Sequence, residues 1–433
     1  MTPAGATRRR LTGFHLGLLA ISLAGFGVRF VYVWFFHRHI PVGGDSYFYH
    51  YGANLLVDGH GFIGPEQYLL GHIVFPSAAH PPLYLLTLAA ASLVGLRSYT
   101  AHQLVSCAIG AGTVAMVGLA ARETAGSRRA GLVAAALAAV YPFMWIIDGA
   151  VMSETDMLFT AALVVYLAYR MWHAPSPGRA VALGVAVGLA ALTRAEEALL
   201  AALVLVPLAL WLRGPEMRRR LQLAGIGVLA TVVTVAPWCA YNLSRFNQPE
   251  LLSTGFGPVL AVSYCDNTFY GQYTGWWWLE CDRRLPAPVR DESDQDVYLR
   301  RAALTYAGHH VRRLPVVMFA RLGRTFAFYR AGHQIFDDQI EQRPLVDSQW
   351  GLALYYAMIG PAAYGAVALR RRRQPLAPLL GLVASVVVVG AFVYGNTRFR
   401  APADVALVIL AGVGVDTLLS GRARRADEPG QPA

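Results

Sequence analysis

A chain of 433 residues that is 55% hydrophobic and only 15% charged, with a mean hydropathy of +0.41, carries more apolar surface than one soluble core can bury. This excludes an ordinary soluble enzyme and points to an integral membrane protein. The net charge of +11 does not imply nucleic-acid binding, because in a polytopic protein basic residues collect in cytoplasmic loops.

Every basic side chain is Arg and Lys is absent, which fits a GC-rich bacterial genome and carries no chemical message. The chain opens with Arg8-Arg9-Arg10 and then runs apolar from Leu11 to Phe36. That run exceeds a signal-peptide core and lacks a small-residue cleavage site, so it reads as a retained signal-anchor helix with its N-terminus inside. Crossing about 30 Å of hydrocarbon takes about 20 apolar residues, and about ten spans are expected on that measure. They lie at 13–36, 99–121, 130–147, 155–172, 180–194, 196–212, 221–240, 350–369, 376–394 and 402–419.

With the N-terminus inside, the loops on the cytoplasmic side hold Arg122/Arg128/Arg129, Arg170/Arg179, Arg213/Arg218/Arg219/Arg220, Arg370 to Arg373 and Arg422/Arg424/Arg425. Every such loop is basic, as the positive-inside rule requires. The expected architecture is therefore an all-α membrane protein of a bacterial plasma membrane, with both termini cytoplasmic and its function facing outward. Residues 1–240 form a transmembrane catalytic module that includes a first extracytoplasmic loop, 37–98. A larger extracytoplasmic loop comes next at 241–349, then C-terminal spans at 350–420 and a disordered polar tail at 421–433.

Within the first loop, Pro81 to Leu96 is too short and Pro-led for an easy span and reads as an interfacial or re-entrant helix. In the second loop, Cys265 and Cys281 sit in matching Cys-Asp pairs. A disulfide closing a loop of that size contributes roughly 3 kcal/mol in an oxidising compartment. His309 to Arg330 mixes Arg312, Arg313, Arg321 and Arg324 with Leu, Val and Phe, the pattern of a helix in the headgroup plane with Arg facing lipid phosphates. The run Trp276-Trp277-Trp278 reads as an interfacial anchor, with sugar stacking as the alternative. No P-loop, dinucleotide fingerprint or zinc-spaced cysteine set occurs, and His37, His39, His50, His60 and His72 form no ligand pair beside a carboxylate. No cofactor is expected, a divalent cation being the one alternative.

Under this topology, polar residues from distant positions fall at the outer helix ends: Asp45 and His80, then Asp148, Glu154 and Asp156, then Arg194, Glu196 and Glu197, and last Asn396, Arg398 and Arg400. Such a set suits transfer of a sugar from a lipid phosphate to a hydroxyl. A leaving phosphate needs no general acid but wants Arg or His near its growing charge, and the attacking hydroxyl needs one carboxylate base. Paired glycosidase carboxylates are not required. Polyprenyl phosphates present their headgroups at the membrane surface, which accounts for the location.

The sequence resembles the GT-C superfamily of polytopic glycosyltransferases, in the branch holding protein O-mannosyltransferases and the lipid A aminoarabinose transferase. The resemblance rests on Gly44-Asp45-Ser46-Tyr47, His80-Pro81-Pro82-Leu83-Tyr84, Ser153-Glu154, Gly188 to Glu196, Ala236-Pro237-Trp238 and Arg398-Phe399-Arg400-Ala401-Pro402, in order along the chain. It implies that Asp45 is catalytic. The O-mannosyltransferases carry Asp-Glu where this chain has Asp45-Ser46, which weakens protein as acceptor, and the inserted lectin-like module of the eukaryotic enzymes is missing. The second loop looks more like an actinobacterial subgroup.

On this reading His80, Arg194, Arg398 and Arg400 bind the donor phosphate, with Tyr49, Glu154, Asp156 and Glu196 supporting the substrate site. Plainer roles compete: Asp45 or His80 as a helix cap, Glu154 and Asp156 as first-turn acids favoured by the helix dipole, and Arg194 with Glu196 as a structural ion pair. The function expected is inverting transfer from a polyprenyl-phosphate-linked sugar to an extracytoplasmic glycan, lipid or protein. A flippase for lipid-linked sugars and an envelope scaffold are the alternatives.

Overall fold

The computed structural model describes residues 13–283, 285 and 291–426, with side chains as far as Ser420. Arg8-Arg9-Arg10 lies outside the described residues. Among those described, twenty α-helices joined by 3₁₀ and π turns make up the architecture, and one isolated β-bridge pairs Ile63 with Pro76. In the first half they are α1 (Gly13–Val31), α2 (Asp45–Val57), α3 (Pro65–Gly71), α4 (Leu83–Leu93), α5 (Tyr99–Ala125), α6 (Arg128–Val140), α7 (Ile146–Gly149), α8 (Glu154–His173), α9 (Pro177–Thr193), α10 (Val206–Leu210) and α11 (Met217–Arg245). The second long loop holds α12 (Phe256–Ala261), α13 (Asp266–Phe269), α14 (Leu279–Arg283), α15 (Glu292–His309), α16 (Leu314–Thr325) and α17 (Ala331–Asp337). The chain closes with α18 (Leu345–Arg371), α19 (Ala377–Phe392) and α20 (Ala401–Ala426).

Five helical segments among the described residues are long and apolar enough to cross a membrane: Gly13–His37, Tyr99–Ala125, Met217–Arg245, Leu345–Arg371 and Thr397–Ser420. Helix starts answer to local chemistry. Ser98, Ser127 and Ser176 each accept a hydrogen bond from a backbone N–H three residues on, which satisfies an otherwise orphaned donor. Close packing uses small residues, as apolar helices in lipid must. A Cβ on Gly365 of α18 would strike the Leu410 carbonyl of α20, and one on Gly184 of α9 would strike the Gly227 carbonyl of α11.

The expected span at 130–147 is broken in two. Pro142 restricts the preceding residue to extended backbone, so α6 stops at Val140 and a 3₁₀ turn, Pro142–Met144, leads into α7. The break exposes carbonyls inside the bundle, and Arg29 of α1 fills it. Its Nη2 donates to the Met144 carbonyl at 2.9 Å and its Nε to Asp148 Oδ2 at 2.7 Å. Asp148 thus acts as the counter-ion of Arg29, both being fully buried. The expected divide at Thr193-Arg194 is present. Beyond it the chain forms a 3₁₀ turn (Ala195–Ala198), a π turn (Ala201–Leu205) and α10 in place of one continuous helix.

The stretch Pro81 to Leu96 contains α4 (Leu83–Leu93), which packs on α2 through Tyr49, Ala53, Tyr84, Leu85 and Leu88. In the second loop the Cys265–Cys281 disulfide is formed, and α12 lies against α15. Two readings of this loop are corrected. Arg321 and Arg324 of α16 face inward, not toward headgroups: Arg321 donates to the Ser263 carbonyl (2.7 Å) and the Tyr264 hydroxyl (3.0 Å), Arg324 to the Thr274 (2.8 Å) and Gln272 (2.9 Å) carbonyls. A guanidinium offers five donors in a fixed fork and can serve several loop carbonyls at once. Trp276 is likewise buried, with the Arg324 guanidinium over its ring, so it packs the loop core. At the C-terminus α20 runs to Ala426, beyond the Gly421 where the disordered tail was expected; residues 427–433 lie outside the described residues.

Candidate active site

Asp45 is the first residue of α2. Gly44 before it has φ +58° and ψ −137°, a backbone that only glycine adopts without strain. The Ser46 hydroxyl donates to the Gly43 carbonyl at 2.6 Å, closing the turn. No side-chain cap forms at this helix start, so the capping role does not apply to Asp45. Its carboxylate instead accepts a hydrogen bond from Arg398 Nη1 at 2.9 Å, and the side chain stays 29% exposed.

Arg398 comes from the far end of the chain, on the 3₁₀ turn Thr397–Arg400, which Asn396 caps by accepting from the Arg398 N–H. Its guanidinium also lies 3.0 Å from Glu154 and 3.6 Å from Glu341. Glu154, almost fully buried at the start of α8, is shared with Arg194 at 2.9 Å, and Arg194 pairs with Glu196 at 2.6 Å. Buried charges persist only when paired, and in this chain of alternating signs every charge has an opposite partner, while Arg398 Nε and Glu154 Oε2 make no hydrogen bond among the described residues. His80 Nε2 stands 3.8 Å from Asp45, too far for a hydrogen bond. Its ring packs against Tyr49 and Phe48, with centroids 4.9 and 5.0 Å away, and it caps no helix.

Burial alone would raise the Asp45 carboxyl, but Arg398, His80 and Arg194 outweigh that and hold it down at about 2. For His80, burial lowers the imidazole below its ordinary value; Asp45 opposes this, while Arg194 and Arg398 reinforce it. The unliganded site therefore presents a charged carboxylate beside a neutral imidazole at neutral pH.

These groups open into a cavity of about 630 Å³. Asp45, His80, Arg194, Glu196 and Arg398 line part of it, Ser253, Thr254, Glu292 and Gln295 another part, and Leu199, Val388, Val389 and Phe392 an apolar part. Charged and apolar walls in one cavity suit an amphiphile with an anionic head.

Asp45, His80, Glu154, Arg194, Glu196 and Arg398 thus meet, drawn from both ends of the chain, and the site is not confined to residues 1–240. Tyr49 buttresses His80 and does not line the cavity. Two predicted residues lie elsewhere. Arg400 turns away to pair with Asp404 at 2.9 Å and stack on Tyr355 at 3.7 Å, which corrects its placement among donor-phosphate ligands: with about three residues per turn, residues two apart on a 3₁₀ turn face different ways. Asp156 accepts from Thr87 Oγ1 at 3.0 Å and ties α8 to α4.

Sequence reasoning missed Glu341, Arg343 and Glu292. Glu292 looks like a first-turn acid of α15. Its carboxylate instead accepts from the Ala78 N–H (2.6 Å), Ser77 Oγ (2.8 Å) and Thr254 Oγ1 (2.5 Å), stitching the two long loops together just before His80. Among the described residues no three His, Cys, Asp or Glu side chains are grouped to hold a metal ion.

A family model for dolichyl-phosphate-mannose-protein mannosyltransferase matches residues 79–241, which include His80, Glu154, Arg194 and Glu196 but neither Asp45 nor Arg398. The fold is similar to that of the archaeal oligosaccharyltransferase AglB from Archaeoglobus fulgidus, in complex with an inhibitory peptide and a dolichol-phosphate, with a TM-score of 0.56 at 14% identity over 97% of this chain and 52% of that one. The apo form of the Archaeoglobus fulgidus oligosaccharyltransferase gives a TM-score of 0.57 at 13% identity, over 99% and 54%. This chain has the GT-C glycosyltransferase fold. It spans about half the length of that oligosaccharyltransferase. ArnT from Cupriavidus metallidurans bound to undecaprenyl phosphate also aligns, with a TM-score of 0.45 at 16% identity over 97% of this chain and 81% of that one. No curated protein matches in sequence. The GT-C fold brings the first long loop of this chain, the start of α8, the end of α9 and the turn before α20 to one end of the bundle, where the cavity opens.

Proposed function

We propose that this protein is an integral membrane glycosyltransferase that moves one sugar, a hexose or a pentose, from a polyprenyl-phosphate donor to an extracytoplasmic acceptor with inversion. The observation that carries the reading is the partly exposed Asp45 carboxylate at 2.9 Å from Arg398, in a cavity with an apolar wall from α19. The dolichol-phosphate bound by the archaeal oligosaccharyltransferase agrees with it. The Arg-rich loops favour the cytoplasm for the opposite end of the bundle, so this cavity faces outward.

In the reaction the acceptor oxygen attacks the anomeric carbon on the face opposite the phosphate. The new C–O bond forms as the C–O bond to phosphate breaks, and the electron pair leaves with the polyprenyl phosphate. Asp45 takes the acceptor proton. Arg398 and Arg194 neutralise charge on the departing phosphate, and His80 donates to it. Before the donor arrives, Arg398 holds Asp45 as a weak base. A phosphate that shares Arg398 loosens that grip and raises the proton affinity of Asp45, so donor binding readies the base. Glu154 fixes both guanidiniums. The acceptor is a cell-envelope glycan, a lipid or a protein, with Ser46 in place of a second acid speaking against protein.

Purified protein incubated with radiolabelled polyprenyl-phosphate sugars and envelope acceptors tests this directly. Turnover that Asp45→Asn abolishes is the expected result. Near-wild-type transfer by Asp45→Asn sinks the assignment, and lipid translocation in vesicles without turnover sinks the enzyme reading.

A further inference from the structure

Glu341-Gln342-Arg343 lies in the second long loop, far in sequence from Asp45, and its residues grip two different parts of the site. Glu341 accepts from Asn396 Nδ2 at 3.1 Å and stands 3.6 Å from Arg398. Arg343 donates to Asn396 Oδ1 and Thr397 Oγ1, both at 2.8 Å. These two hold the turn that carries Arg398.

Gln342 between them holds the other half. Its Nε2 donates to the Pro41 carbonyl and to Ser46 Oγ, both at 2.9 Å, its Oε1 accepts from Tyr99 OH at 3.1 Å, and its own carbonyl contacts His37 Nε2 at 2.9 Å. The residue is 9% exposed and does not line the cavity. Its backbone is left-handed, φ +60°, a conformation few non-glycine residues take and one that persists only where surroundings impose it. Ser46, which receives the Gln342 amide, is the residue that closes the Gly43 turn and delivers Asp45.

We propose that Gln342 is a positioning residue for transfer: it sets the register between the loop bearing Asp45 and the turn bearing Arg398. This rests on the glycosyl-transfer reading above. Because Glu341 and Arg343 still place Arg398 when the Gln342 side chain is removed, donor binding survives while the base drifts. Misplacement by about 1 Å costs on the order of 100-fold in rate, so the signature is a fall in kcat with donor KM little changed. Gln342→Glu keeps the acceptor for Tyr99 but loses both donors, and behaves like Gln342→Ala.

The test measures kcat and donor KM for Gln342→Ala, Ser46→Ala and the double variant, with hydrogen exchange of the amides at 43–49 and 396–400. The expected result is a kcat loss of about 10- to 100-fold in each single variant, a loss in the double variant well short of the product of the two because they share the Gln342–Ser46 contact, and faster exchange at 43–49 alone. Unchanged kcat, multiplicative losses, or faster exchange at both segments overturns the proposal. If wild-type protein transfers no sugar, the glycosyltransferase reading fails by itself. Exchange then still decides the clasp: faster exchange at 43–49 alone in Gln342→Ala supports it, and unchanged exchange there rejects it.

Discussion

Replacing Arg398 by Met should create a pH dependence that the wild-type protein lacks. Arg398 contacts Asp45 at 2.9 Å, Glu154 at 3.0 Å and Glu341 at 3.6 Å. An ion pair at about 4 Å is worth about 4 kcal/mol at an effective dielectric of about 20. Asp45 is 29% exposed, so solvent screens part of that, and His80 and Arg194 remain. At about 1.4 kcal/mol per pH unit, the Asp45 carboxyl should move up from about 2 by roughly one to two. In the wild-type protein the pKa lies below its unfolded value. The stability Asp45 contributes is therefore complete above about 4 and is lost only as pH falls toward about 2. On the proposed mechanism, Asp45 is ionised and ready to act as base over that same range. In Arg398→Met an acid limb should appear, the rate falling with decreasing pH as the base is protonated. Arg398→Lys, which keeps the charge, should stay flatter. The assay is kcat/KM for the donor between about pH 2.5 and 8 in detergent micelles, a range that reaches down to the shifted carboxyl. A flat profile in Arg398→Met, or a wild-type acid limb that disappears in Asp45→Glu, would refute the electrostatic account.

Asp45→Asn should lose about 100- to 10,000-fold in transfer while unfolding within about 1 kcal/mol of wild type, because Arg398 keeps Glu154 and Glu341; thermal unfolding alongside turnover checks both halves. Arg321→Met strips several loop carbonyls of their donor and should destabilise by roughly 3 kcal/mol, seen as a lowered melting temperature in detergent. Replacing Cys265 and Cys281 by Ser should cost roughly 3 kcal/mol through loop closure, and in native membranes neither thiol should label until reductant is added. Gly44→Ala should slow transfer by straining the turn that presents Asp45, with donor KM little affected.

Much of the candidate site was legible because its charged residues stand out locally. Asp45 comes after a glycine pair just past the first apolar run, Glu154 opens a helix and Arg194 interrupts one, so charge in such places stands out against 55% hydrophobic composition. Glu341, Gln342 and Arg343 gave no such signal: they sit in a polar loop where charged and amide side chains do not stand out, and only the folded chain shows that they join Asp45 to Arg398. Arg321 and Arg324 misled for the converse reason. An amphipathic pattern reports which side of a helix is polar but not whether that side meets lipid phosphates or buried carbonyls.

Apolar runs, Pro positions and Ser caps determined from the sequence alone that this is a helical membrane protein with two long loops, since hydrophobicity and backbone restriction act on neighbours in the chain. Which of the two arginines in Arg398-Phe399-Arg400 faces Asp45, and which pairs with Asp404, was decided only by the tertiary structure. Side-chain direction on a 3₁₀ turn depends on how the whole turn docks, and that docking is set by contacts with Glu341 and Arg343 in the second long loop and with Asp45 near the start of the chain.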